Sequence, residues 1–165
     1  MTGLSASELA GFRKTDIIDG FMVIRNSFAS GIEKTELKNR HRKREIPITA
    51  ALQAQLDLMS TRVVGDHLFR LKNGNPFNEA SFRKHVWTPA MKRAGLVYRK
   101  PYTTRHTFLG WSLLVGVHPE SLVRLMGHAN RQMVYEVYGK YRQGLTEDCG
   151  KITAYFGQDF KTLQQ

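Results

Sequence analysis

The chain has 165 residues, 41% of them hydrophobic and 24% charged, which is the balance of one globular domain and not of a disordered chain. Lys and Arg number 25 against 14 Asp and Glu, and the net charge of +11 points to a polyanionic partner, nucleic acid above all. One cysteine, Cys149, excludes an internal disulfide and a thiolate zinc site; with no apolar run of membrane-spanning length and no secretory signal at the start, a cytoplasmic protein without a membrane partner is expected.

In chain order, Ser5 to Phe12 reads as a short helix, because Ser5 and Glu8 have the spacing of a capping box. Ile17-Ile18 and Phe21 to Ile24 flank Asp19-Gly20, a pair that supplies the positive φ of a tight hairpin turn. Arg44 to Thr49 reads as a third strand, and the segment Glu33 to Glu45 before it carries six Lys and Arg residues. Helices follow. Ala50 to Ser60 has Leu52, Leu56 and Met59 at helical spacing; Glu79 to Ala94 has Phe82, Val86, Ala90 and Ala94, with Gly95 as its stop. Further helices are predicted over Thr103 to Val115, from His118-Pro119, over Gln132 to Tyr141 and over Glu147 to Phe156. The fold class expected is α+β, mainly helical with a small three-stranded antiparallel sheet, and the absence of repeats or Pro/Gly-rich linkers makes residues 1–165 a single domain. No set of His, Asp or Glu has metal-ligand spacing.

Three segments carry the chemistry: Pro101-Tyr-Thr-Thr-Arg-His-Thr-Phe108, Leu125-Met-Gly-His-Ala-Asn130 and Met133-Val-Tyr-Glu-Val-Tyr-Gly-Lys-Tyr141. Met1-Thr-Gly-Leu-Ser-Ala-Ser-Glu-Leu9, Asp16 and Glu36-Leu-Lys-Asn-Arg-His-Arg-Lys-Arg-Glu-Ile-Pro-Ile48 precede them. In this order and spacing the segments resemble, over almost the whole chain, the C-terminal catalytic domain of tyrosine recombinases, the phage-type integrases. The resemblance implies site-specific DNA recombination and integration, in which a tyrosine attacks a phosphodiester, forms a 3′-phosphotyrosyl bond and releases a 5′-hydroxyl. Bond energy is conserved, so no ATP, metal or other cofactor is implied. The implied partners are double-stranded DNA at attachment sites and further copies of the chain, a tetramer on DNA.

The resemblance also assigns roles. Tyr138 is the nucleophile, with Tyr141 as its main rival. Arg105 is a bidentate phosphate clamp, since a planar guanidinium can hold two phosphate oxygens. His128 donates to the phosphate or positions the tyrosine proton. Lys38 is the proton donor to the leaving 5′-oxygen. Tyr102 and His106 are supporting residues, and Arg40, Arg42, Lys43 and Arg44 are contacts to the DNA backbone.

Two positions depart from the family pattern. The first family arginine is replaced by Ser5, and Arg13, eight residues on in the same predicted helix, does not replace it by register. Tyr102 stands where a histidine is usual. The loss of one preorganised cation can cost ~10²–10³ in rate, so the alternative is a catalytically impaired DNA-binding remnant of an integrase. The family's N-terminal DNA-clamping domain has no counterpart in these residues, and a fragment of a longer integrase is expected. Ala154, Tyr155, Phe156 and Phe160 form an apolar patch that packs either on a neighbouring copy or on the chain's own core.

Overall fold

The computed structural model describes residues 1–29, 32–34, 43–61, 64–71, 74–75, 77–127, 131–132, 134–136 and 148–160. Helix α1 (Ala6–Gly11) begins at the expected cap: Ser5 is the N-cap, and both halves of its capping box with Glu8 are formed. The helix ends at Gly11, where any Cβ would come within 2.8 Å of the Ser27 backbone. Arg13 therefore lies outside α1, against expectation. It bridges to His67 and donates both carboxylate bonds to Glu33, at 2.7 and 2.8 Å.

Strands β1 (Ile17–Ile18) and β2 (Phe21–Ile24) form the expected hairpin. Asp19 (φ 48°) and Gly20 (φ 80°) both have positive φ, the requirement of a type I′ turn. A second, two-stranded sheet of β3 (Ser27–Ala29) and β4 (Ile32–Lys34) follows; the sequence reading had no strand there. Its strands have three residues each, too few for an alternation to show. Strand β5 (Arg44–Pro47) returns beside β2 and completes an antiparallel sheet in the order β1-β2-β5, with Met22 opposite Ile46 and Ile24 opposite Arg44. Met22, Ile24 and Ile46 are buried, so one face of this sheet enters the core.

Helix α2 (Ala50–Ser60) is capped by Thr49 and buries Leu52 and Leu56. The helix expected over Glu79 to Ala94 is interrupted: α3 (Glu79–Phe82) passes through a π-turn (Arg83–Trp87) into α4 (Thr88–Arg93). None of its residues is buried and Val86 is 47% exposed, so its apolar stripe is not a core face. Phe82, Val86 and Trp87 instead line an open apolar cavity of about 560 Å³ together with Leu4, Leu9 and Leu68. Helices α5 (Thr103–Leu114), α6 (Pro119–Met126) and α7 (Cys149–Phe156) complete the described elements. Among the described residues, no helix is long and apolar enough to cross a membrane.

The core closes on aromatic side chains. Phe156 and Phe160 stack at 4.2 Å, and both meet Phe108 edge-on. Each of these three rings is buried in the chain's own core, while Ala154 and Tyr155 stay exposed. Thr49 Oγ1 donates to the Phe156 carbonyl at 3.2 Å, and Asp159 accepts from the Ala50 amide at 2.8 Å, so α7 is tied to the start of α2. Phe156→Ala is expected to cost about 3–5 kcal/mol, the usual penalty for emptying an aromatic core site. The midpoint of urea unfolding measures it, and a shift no larger than that of Tyr155→Ala would place α7 outside the core.

Candidate functional site

The site is built around one carboxylate. Glu8 is turned inward by its place in the first turn of α1 and is 2% exposed. Its Oε1 accepts from Arg44 Nη1 at 2.8 Å. Its Oε2 accepts from the Ser5 amide at 2.8 Å, from Ser5 Oγ at 2.9 Å and from Arg44 Nη2 at 3.2 Å. Arg105 Nη1 lies 3.6 Å from the same oxygen. Burial pushes the Glu8 carboxyl up. The hydrogen bond and charge of Arg44, the Ser5 amide and the charge of Arg105 together outweigh it and hold the group at about 2, against an ordinary 4.5.

Arg105 is buried in the first turns of α5. Its guanidinium donates through Nη1 to the Gly3 carbonyl and through Nη2 to the Met126 carbonyl, joining the N-terminal segment to the end of α6. Gly3 is needed there. Its φ is +64°, and a Cβ would fall 2.5 Å from the Phe108 ring. Arg44 donates through Nε to the Leu125 carbonyl at 2.5 Å. Two guanidiniums therefore take two successive carbonyls of the last turn of α6, where the helix dipole is negative. Gly127, at φ 62°, then closes the helix in the left-handed conformation, and the next residue in the chain is His128.

Of the residues singled out from sequence, Arg105 stands in this cluster, but its side chain is 8% exposed and its Nη1 and Nη2 both donate to backbone carbonyls, so the open two-pronged phosphate fork expected of it is not the arrangement seen. Arg44 was expected to contact DNA, but its side chain is 5% exposed and its guanidinium is engaged by Glu8 and Leu125. The reason is strand register: Arg44 opposes Ile24, which is buried. Lys43 is exposed beside it. Tyr102 is 48% exposed at the start of α5, with its ring edge-on to His106 at 5.3 Å. Lys38, Arg40, Arg42, His128, Tyr138 and Tyr141 lie outside the described residues. Just before Tyr138, Val134 is fully buried, and Tyr135 donates to Glu120 at 3.1 Å.

Sequence reasoning saw Glu8 only as half of a cap. It also passed over a second basic surface: Arg83, Lys84, Lys92, Arg93, Arg99 and Lys100 are all exposed. Residues 80–104 contain no acid to neutralise them, a signal legible in the sequence itself. Among the described residues no group of His, Cys, Asp and Glu could hold a metal ion.

The chain can be set beside known proteins. The Phage integrase family matches residues 1–143. IntQ of Escherichia coli (strain K12), whose name calls it a defective protein, is 34% identical over 172 residues, covering 85% of this chain and 42% of that protein. Prophage integrase IntR of the same strain is 35% identical over 118 residues, covering 70% of this chain and 28% of that protein. The chain thus spans less than half the length of these curated relatives. The fold is also that of the Tn1549 transposon integrase in complex with a circular intermediate DNA, with a TM-score of 0.73 and 21% identity over 83% of this chain and 50% of that one. XerA recombinase shares it with a TM-score of 0.62 and 18% identity over 93% of this chain and 52% of that one.

The low Glu8 value has a pH consequence. A carboxylate held below its unfolded value stabilises the fold above about pH 4.5, and that contribution is lost as pH falls toward 2. It is expected to be worth about 3 kcal/mol, from the 4.5 to 2 displacement. Urea unfolding of the parent between pH 7 and 2 should show that loss. In Glu8→Gln the slope over this range should be flatter, and equal slopes would remove Glu8 from the account.

Proposed function

This chain belongs to the phage integrase family, and from that premise we propose that it is the catalytic domain of a longer integrase that cuts and rejoins DNA at specific sites through a phosphotyrosine. The observation that carries the reading is the Arg105 bridge. It ties the start of α5 to Gly3 in the N-terminal segment and to Met126 at the end of α6, which are far apart in the chain.

In this reading the Tyr138 oxygen attacks the phosphorus, and the bond to the 5′-oxygen breaks. Lys38 gives the leaving oxygen its proton. A phenol with a pKa of about 10 is a weak nucleophile at neutral pH, so its proton passes to water as the bond to phosphorus forms, with His128 positioning it. Arg105 supplies the fixed cation for the charge that grows on the phosphate. The reaction uses no metal or other cofactor. Double-stranded DNA at attachment sites is the substrate, and synapsis of two sites calls for a tetramer of full-length chains. Arg40, Arg42 and Lys43 grip one stretch of backbone, and the basic surface from Arg83 to Lys100 grips another.

A second reading is a DNA-binding remnant that does not cleave. Ser5 favours it, because the N-cap of α1 holds a neutral side chain where the family has an arginine. The two readings part on a covalent adduct. With a nicked duplex carrying a cognate site and the full-length protein, the parent should form a protein–DNA adduct and Tyr138→Phe should form none. Absence of an adduct from the parent would favour the remnant.

DNA affinity gives a separate test. Neutralising Lys92, Arg93, Arg99 and Lys100 together should weaken binding and lower the slope of log affinity against log salt by about 3–4, since each phosphate left without its cation removes about 0.9. An unchanged slope would exclude this surface from the interface.

A further inference from the structure

We propose that Arg44 is a positioning residue for the cleavage site: it does not hold DNA but fixes the carbonyl end of α6, up to its Gly127 cap, against the Glu8 carboxylate. The proposal rests on the recombinase reading above and assigns that site one more functional part.

Arg44 joins two groups at once, the Leu125 carbonyl and both oxygens of the Glu8 carboxylate. Nε reaches the Leu125 carbonyl, Nη1 reaches Glu8 Oε1 and Nη2 reaches Glu8 Oε2. The partners come from α6 and from α1, and Arg44 itself opens β5. The side chains of Arg44 and Glu8 are 5% and 3% exposed, so this bridge works away from water, where charge-assisted bonds are strong and geometrically demanding. Glu8 has no cation at position 5, which is a serine. Arg44 is its nearer arginine, at 2.8 Å against 3.6 Å for Arg105. Arg44 thus carries the shorter contact to Glu8 and holds the carbonyl next to the one Arg105 holds.

This role requires an arginine. A lysine carries the same charge but is a point donor on a flexible stem and cannot span three acceptors in one plane. A phosphate contact or a simple ion pair would tolerate lysine far better. The contrast sets the test.

Arg44→Lys, Arg44→Met and Glu8→Gln are compared with the full-length parent in single-turnover adduct formation on a nicked duplex at saturating protein. DNA affinity is titrated against salt, and amide exchange is followed at Met126 and Gly127. Arg44→Lys should keep the parent's DNA affinity and salt slope, form adduct about 10- to 100-fold more slowly, and exchange faster at Met126 and Gly127. Arg44→Met and Glu8→Gln should act in the same direction, and their combined effect should be less than additive because both break one bridge. Weaker DNA binding with a flatter salt slope in Arg44→Lys would make Arg44 a phosphate contact and overturn the proposal. So would an unchanged adduct rate in a folded Arg44→Lys protein. If the parent forms no adduct, the recombinase reading fails, and the exchange at Met126 and Gly127 still decides: protection equal to the parent's in Arg44→Lys overturns the positioning role.

Discussion

A carboxylate taken out of water must be neutralised where it lies, and Glu8 imposes that condition on the rest of this domain. Burying the charge without partners would cost several kcal/mol. Two arginines and the Ser5 amide meet it, and each comes from a different stretch of chain. Because Arg44 and Arg105 must both reach Glu8, β5 and α5 are held at the N-terminal end of α1. Because the same two guanidiniums also take the Leu125 and Met126 carbonyls, α6 is held there too. One charge therefore determines where these elements converge.

This arrangement gives the serine at position 5 a role of its own. Ser5 Oγ and its amide both donate to Glu8, and Ser5 begins α1. The residue that departs from the family pattern is thus part of the network that keeps Arg44 and Arg105 in place. An arginine at this N-cap would remove a cap worth ~1 kcal/mol as well as add a charge. The serine and the Glu8–Arg44 pair are best viewed as one unit.

Much of the fold was legible from local signals. The Ser5–Glu8 box, the Asp19-Gly20 turn and the helical spacing of Leu52 and Leu56 each act over a few residues, and each appears where the sequence put it. Arg105 was legible through its motif. Arg44 was read as one more cation in a basic run, because its inward turn depends on pairing with β2, a contact between distant residues. The spacing of Phe82, Val86 and Ala90 predicted one continuous helix, and periodicity tells which face is apolar but not what that face meets. A π-turn adds a residue to the helical turn and shifts the stripe, and composition gives no sign of it.

The tie between α7 and the start of α2 bears on synthesis of the protein. Thr49 meets Phe156, and Ala50 meets Asp159, across 107 and 109 residues of chain. The aromatic stack that seals the core needs Phe108, Phe156 and Phe160 together. A ribosome adds 107 residues after Thr49 before Phe156 exists. Sheet and early helices must wait with Phe108 and its apolar neighbours uncovered, and such contacts between distant residues slow folding. The nascent chain therefore keeps apolar surface uncovered until α7 emerges, and such surface favours aggregation.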